Sequence, residues 1–274
     1  MFQDGASAQV FSRIFSHLLD VSWGKLEAIT PAVFFVIPEI KHLGECVEKA
    51  WQLQRRRLVD FKVEFGINSI GELLLADVID NDSWRILDDA GNYDDKQVYR
   101  DGGDLNEVTR KYRLVSGLAD RFELPKQSLI FWRGSDKDKL DFYDDLRALY
   151  PEAVLEMPII TCSAHKQPAQ AYRLLTEAVS KIPDSVIVVF VALSNGAGPM
   201  LSANVTVPVM TVPLNYRAFP DDVWSSLRTP SNVPVMTVLE PANAVLAALQ
   251  ILAMRNPAIY ATLRLEQEKR LVSL

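Results

Sequence analysis

His165 is one of three histidines in the chain and stands in Cys162-Ser163-Ala164-His165-Lys166-Gln167-Pro168, a polar stretch after an apolar run. Imidazole titrates near neutrality, so a loop histidine can act as a general base or acid at physiological pH. Ser163 adds a hydroxyl and Lys166 a cation. The same stretch allows a second chemistry, with Cys162 as a thiol nucleophile beside the histidine. That chemistry wants an acid to orient the imidazole, and none is evident, while Cys162 closes an apolar run. A third possibility is that a lone loop histidine has no chemistry at all.

Two further stretches have the composition of ligand loops. Gly134-Ser135-Asp136-Lys137-Asp138 leads from an apolar run toward a helical pattern, so it is either a plain capped turn or a cradle of N–H groups and a hydroxyl for a phosphate. Ser194-Asn195-Gly196-Ala197-Gly198-Pro199 is built of small residues that let a ligand approach the backbone, and Pro199 suits a helix start. A different cluster lies in the first half. On paired strands Lys62 and Glu64 share one face and Asp77 can lie near them. Grouped carboxylates of this kind hold magnesium between ATP phosphates, whereas the alternative is an exposed charged hairpin.

Positioning these residues requires particular elements. From residue 128 onward strand and helix patterns alternate. Strands are expected at 128–133, 154–161, 185–192, 207–212 and 235–238, and helices at 137–150, 168–181, 199–203, 221–227, 241–254 and 257–269. Val186-Ile187-Val188-Val189-Phe190-Val191 is apolar on both faces, as a central parallel strand covered by helices must be. This is a doubly wound, three-layer α/β pattern, in which ligands gather at the C-terminal ends of the strands. The first half reads differently. Helices are expected at 8–20, 39–55 and 105–122, with Arg55, Arg56 and Arg57 complementing the dipole at the end of the second. Alternation at 58–65 and 72–79 predicts two strands of a hairpin, 88–104 a loop, and 123–127 a linker at Pro125.

Composition bounds the function. With 274 residues, 49% of them hydrophobic and 23% charged, the chain is globular and holds one or two domains. A net charge of -6 disfavours nucleic acid or an anionic membrane as partner, and leaves room for a small anionic substrate. Cys46 and Cys162 lie far apart without metal-ligand spacing, which fits a reducing, cytoplasmic setting. The longest apolar run, from Val186 to Leu193, is far shorter than the roughly 20 residues of a membrane span. The opening Met1-Phe2-Gln3-Asp4 has no basic segment leading into an apolar one, so a secretory signal is not expected.

Ser163-Ala164-His165-Lys166, Ser194-Asn195-Gly196 with Gly198-Pro199, Asp222-Val223-Trp224-Ser225-Ser226-Leu227-Arg228, and the helical Asn243 to Ile251 occur together in one order and spacing. In these the chain resembles the aminoimidazole ribonucleotide (AIR) carboxylase domain of the bifunctional carboxylase and succinocarboxamide (SAICAR) synthetase family of animals, which serves purine biosynthesis. The resemblance implies a carboxylase domain at 126–274 that joins carbon dioxide to the ribonucleotide without metal, ATP or other cofactor. It implies His165 as base, Ser163 holding the carboxylate, and Ser135, Asp138, Lys166, Ser194, Asn195 and Gly196 binding substrate. It also implies a homo-octamer. Two departures stand out. The family's phosphate loop has a second serine where this chain has Lys137, and an Ala-Gly-Arg segment is expected before Ser194, so the loop here reads about three residues short.

Leu58 to Gly66, Leu75 to Arg85, and Asp95-Lys96-Gln97 with Tyr99-Arg100-Asp101 resemble the SAICAR synthetase domain of the same family. By that resemblance Lys62 contacts nucleotide, Glu64 and Asp77 serve magnesium or phosphate, and Asp82 and Arg85 lie near substrate. A complete synthetase domain uses ATP and magnesium and runs about twice the length of residues 1–125. Its Gly- and Lys-rich nucleotide loop is not found before Leu58, so the expectation is an α+β partial synthetase region without ligase activity. A non-catalytic relative that binds nucleotide or assembles with full-length subunits is the alternative reading.

Overall fold

Leu43, Val47 and Trp51 recur four residues apart, so they fall on one face of a helix and must be covered together. In the computed structural model, which describes residues 38–70, 73–76, 79–94, 97–100 and 102–272, they do so on helix α1 (Pro38–Leu53), each almost wholly buried. The helix expected at 8–20 lies outside the described residues. Trp51 meets Trp84 and Phe122 edge-on, with ring centroids 5.1 Å and 4.8 Å away, the arrangement that aromatic quadrupoles favour. The arginines after α1 do not cap it. Arg55 takes a left-handed φ of 57° beyond the helix end, and Arg56 turns to the buried Asp94, its Nε 2.6 Å from the carboxylate. Lys111 completes that pair from the other side at 2.8 Å, so Asp94 is buried between two cations.

The strand expected over 58–65 is broken in two. β1 (Arg57–Phe61) pairs antiparallel with β4 (Trp84–Leu87), whereas β2 (Glu64–Ile67) pairs with β3 (Leu73–Ala76), leaving Lys62 and Val63 as the joint. The Lys62 N–H donates to the Ser83 carbonyl at 2.7 Å, which fixes the joint against the turn before β4. The expected hairpin therefore exists only as β2 and β3. Within 88–104, expected as loop, a one-turn helix α2 (Gln97–Arg100) forms, and Asp104 then caps α3 (Leu105–Ala119) by accepting the Glu107 N–H at 2.8 Å.

After α3 the rhythm becomes the expected one. β5 (Ser128–Arg133), α4 (Tyr143–Leu149), β6 (Ile159–Thr161), α5 (Pro168–Lys181), β7 (Ser185–Val191), α6 (Ala197–Ser202), β8 (Val209–Pro213), a 3-10 turn (Pro220–Val223) with α7 (Trp224–Leu227), β9 (Met236–Thr237) and α8 (Pro241–Ala253) follow in turn. The five strands form one wholly parallel sheet in the order β6-β5-β7-β8-β9. All seven residues of β7 are buried, which its unbroken apolar run required. The strand expected at 154–161 is regular only over its last three residues, because Pro158 has no N–H to offer a ladder. Its earlier part still supplies acceptors to β5: Leu129 N–H bonds Glu156 O and Phe131 N–H bonds Pro158 O, both at 2.9 Å.

The chain passes from β5 to β6 on one side and then returns past β5 to β7 on the other. In such sheets the crevice lies outside the C-terminal ends of the strands where that reversal occurs, here β5 and β7. The parallel sheet and its helices make one compact unit, Pro125–Met254. The described residues before it make a second unit together with the last helix, α9 (Pro257–Val272). Within that second unit α9 packs on α1: His42 Nε2 lies 3.1 Å from Thr262 Oγ1, and Ala261 joins the core of Leu43, Val47, Trp51 and Trp84. Among the described residues no helix is long and apolar enough to cross a membrane.

Candidate active site

The loop after β6 begins under tight control. The Cys162 N–H donates to Arg133 O at 2.9 Å, and its carbonyl accepts the Trp132 indole N–H at 2.9 Å. Gln167 N–H then returns to Ser163 O at 2.8 Å, and Pro168 opens α5. One turn is thereby closed around Ser163, Ala164, His165 and Lys166. The Ser163 hydroxyl faces the Lys166 N–H at 3.4 Å, and the His165 side chain is left exposed. Cys162 is buried, and burial pushes its thiol pKa up. Among the described residues its sulfur reaches only Gln167, at 3.9 Å, so none of them favours a thiolate and the thiol-nucleophile chemistry has no support.

The loop after β7 is held by the seven-residue segment that begins at Asp222. Ser194 sits at φ 54°, a conformation that non-glycine residues seldom adopt. Its N–H donates to both carboxylate oxygens of Asp222, at 2.9 and 3.0 Å. Asn195 N–H bonds Ser225 Oγ at 2.9 Å, and that hydroxyl in turn donates to Asp222 O at 2.7 Å. The Asn195 side chain is buried and bonded at both ends: its amide nitrogen donates to Ser226 Oγ at 3.1 Å, and its oxygen accepts the Gly198 N–H at 2.8 Å. Asn195 thus braces the loop from inside, and what faces outward here is backbone and Ser194.

Gly196 is where two loops meet. A β-carbon at this position would overlap Nε2 of His165 and lie 2.7 Å from its Cδ2 and 2.8 Å from its Cε1. The imidazole therefore rests directly on the glycine, across the C-terminal end of β5. Gly198 is small for another reason: a β-carbon there would overlap Thr211 Cγ2 on β8 and press on the Asn195 amide at 2.8 and 2.9 Å. Between the flanking loops, the loop after β5 is folded on itself. The Ser135 N–H donates to Asp138 Oδ2 at 3.0 Å and Lys137 N–H to Ser135 Oγ at 3.2 Å. Regular helix follows only at Tyr143, because this self-bonded turn takes up the residues expected to begin it.

The site residues expected in the first half are placed differently. Lys62 Nζ bonds Glu64 Oε1 at 2.6 Å, Tyr112 Oη donates to Asp82 Oδ1 at 2.9 Å, and Arg85 forms an ion pair with Asp60, whose carboxyl it holds below the usual range through that hydrogen bond. Asp77 lies outside the described residues. Among the described residues no three His, Cys, Asp or Glu side chains group closely enough to hold a metal ion. Glu64 is tied to Lys62 instead.

From sequence alone the segment from Asp222 to Arg228 has no evident task. Its task is to supply the acceptors that the loop after β7 lacks. The signal was available: Ser-Asn-Gly before a helix leaves donors unmatched, and an Asp with two serines at +3 and +4 is a set of acceptors seeking them.

A doubly wound α/β domain, with a histidine seated on glycine where the sheet reverses, defines a class built to act on a small ligand at a strand-end crevice. The AIR carboxylase family model matches residues 130–271, and the chain belongs to that family. The SAICAR synthetase family model matches residues 39–116, which gives the chain the two-part arrangement of the bifunctional animal proteins, with the synthetase part covering only a short region. The probable multifunctional protein ADE2 of Caenorhabditis elegans is 33% identical over 243 residues, spanning 85% of this chain and 57% of that protein. The bifunctional phosphoribosylaminoimidazole carboxylase/phosphoribosylaminoimidazole succinocarboxamide synthetase of Rattus norvegicus is 36% identical over 247 residues, 84% of this chain and 56% of that one. A crystal structure of Treponema denticola PurE covers 54% of this chain and 94% of its own, at 23% identity and a TM-score of 0.49. The chain spans a little over half the length of the curated relatives it matches.

Proposed function

We propose that this chain carboxylates aminoimidazole ribonucleotide with carbon dioxide, with His165 as the proton-transfer group. The observation that carries the proposal is the seating of the His165 ring on Gly196, at the point where the sheet reverses. In the proposed reaction the electron-rich imidazole carbon of the substrate forms a bond to the carbon of carbon dioxide. That carbon then carries both a proton and a carboxylate, and His165 removes the proton to restore the aromatic ring. Ser163 and the Ser194 hydroxyl would hold the new carboxylate, Ser135, Asp138 and Lys166 the ribose and phosphate, while Gly196 gives the imidazole its seat beside the substrate. Asn195 acts from within, by keeping Ser194 and Gly196 in place. The reading includes no metal or cofactor for this step, a homo-oligomeric assembly, an octamer in the family pattern, and a cytoplasmic setting. For the synthetase region, whose family match covers only residues 39–116, we propose no ligase activity.

The test is decarboxylation of the carboxylated ribonucleotide by purified protein, followed by ultraviolet absorbance. Turnover by the wild type that His165→Asn abolishes, with ribonucleotide affinity kept within about tenfold, is the expected result. A folded wild type that binds the ribonucleotide and never turns it over would favour a non-catalytic relative. Joint loss of binding and turnover in His165→Asn would make the histidine a ligand-holding residue.

A further inference from the structure

Arg133 ends β5 with its side chain only 19% exposed, immediately before the loop that carries Ser135 and Asp138. Its guanidinium is spread over three acceptors. Nε donates to Thr161 Oγ1 at 2.9 Å, Nη2 to Asp136 Oδ1 at 2.5 Å, and Nη1 to the Asp138 carbonyl at 3.3 Å. Thr161 also donates its hydroxyl to Asp136 Oδ1 at 3.2 Å. The end of β6 and both halves of the loop are thus drawn to one cation.

The loop poses an electrostatic problem that this arrangement answers. It offers the Ser135 hydroxyl to an anion, while the N–H groups of Ser135, Lys137 and Asp138 are taken up inside the loop, and it contains two carboxylates. Asp138 is turned inward on the Ser135 N–H. Asp136 is largely exposed and, left alone, would set a negative charge beside any phosphate that the loop received. We propose that Arg133 is a positioning residue for phosphate recognition: it pulls the Asp136 carboxylate back onto Thr161 and cancels its charge, so that the loop can accept an anionic ligand. The proposal rests on the carboxylase reading for the identity of that ligand, and not for the existence of the clamp. Because Asp136 is mostly solvated, the ion pair itself adds little to stability. Its effect falls on the charge and shape of the loop.

The experiment compares wild type, Arg133→Met and the double variant Arg133→Met/Asp136→Asn in the decarboxylation assay, with amide hydrogen exchange over residues 134–139 measured on the same samples. Arg133→Met should raise KM about three- to tenfold, the size of one uncompensated charge near a phosphate in a solvated loop, with kcat within about twofold. Exchange over the loop should quicken. Removing the carboxylate as well should return KM to within about threefold of the wild type, although exchange stays fast. A double variant as weak as Arg133→Met would mean that Arg133 touches the phosphate itself, which overturns the proposal. Unchanged KM and unchanged exchange in Arg133→Met would overturn it too. If the wild type binds no ribonucleotide, the carboxylase reading falls. The comparison then passes to inorganic phosphate, whose weakening of loop exchange should be lost in Arg133→Met and restored in the double variant, and failure of that pattern overturns the clamp.

Discussion

Gly196→Ala isolates the position of one ring. Gly196 has φ -85° and ψ -24°, values that alanine adopts freely, so the substitution adds no backbone strain. What it adds is a methyl group that overlaps His165 Nε2 and stands 2.7 and 2.8 Å from two ring carbons. Carbon atoms rest about 3.5–4.0 Å apart, so the imidazole must retreat by roughly 1 Å. It can do so cheaply, because the His165 side chain is exposed and has solvent to move into. Stability should therefore change by no more than about 0.5 kcal/mol. A displacement of that size at the reacting group lowers a rate by up to about 100-fold, or about 2.7 kcal/mol of barrier. Decarboxylation of the carboxylated ribonucleotide should accordingly lose one to two powers of ten in kcat, with thermal unfolding unchanged. In the background of His165→Asn the same alanine should do nothing further, since no imidazole remains for it to displace. Full turnover by Gly196→Ala would refute the reasoning, because it would mean that the position of the imidazole over the glycine is irrelevant to the chemistry.

Three other outcomes follow from the same geometry. Asp222→Ala removes both acceptors of the Ser194 N–H and should cost about 1–2 kcal/mol in chemical denaturation, with turnover falling more than tenfold because Gly196 backs the histidine. Gly198→Ala inserts a methyl group between Thr211 and the buried Asn195 amide, where nothing can yield, so it should destabilise by about 1–3 kcal/mol and lower the unfolding temperature, in contrast to Gly196→Ala. The third concerns His42, which burial holds below its usual pKa in the contact between α1 and α9. The native state therefore binds this proton less readily than the unfolded chain. Its contribution is at its full value above about pH 6.5 and declines as pH falls from there toward the lowered native value. Thermal unfolding between pH 7.5 and 5 should show this acid loss, and His42→Gln should flatten it; an unchanged profile in the variant would assign the loss to other groups.

The second half was legible because burial on both faces leaves a strong trace in sequence. β5 begins and ends where alternation placed it, and α5 runs from Pro168 to Lys181 as the periodicity and the proline predicted. Errors arose where a local bond outcompeted a pattern. The helix expected from Lys137 yields to the turn that Ser135 and Asp138 make between themselves, and the strand expected from Val154 is interrupted by Pro158. In the first half, alternation from Leu58 to Phe65 gave no sign that the strand would change partners at Lys62, because alternation records which face is covered and not which neighbour is paired. Within the site, residue types pointed to His165, Ser163 and the glycines. The inward turn of Asn195 was not legible, since an amide in a small-residue loop reads the same whether it reaches a ligand or holds its own backbone. Arg133 is hidden for a similar reason: as the last residue of an apolar run it resembles a boundary.

The last helix has a consequence for the order in which the protein is made. Ala261 fills the same core as Trp51 and Trp84, yet it is translated after all of Pro125–Met254. On the ribosome the parallel sheet has every strand and helix it needs while the first unit still lacks a wall of its core. Vectorial synthesis, which usually lets the earlier segment fold first, should here reverse the sequence of events. Residues 38–122 must wait, with Trp51 and Leu43 incompletely covered, until the final helix leaves the exit tunnel. A nascent chain arrested before Pro257 should then carry a protease-resistant second unit on a protease-sensitive first one.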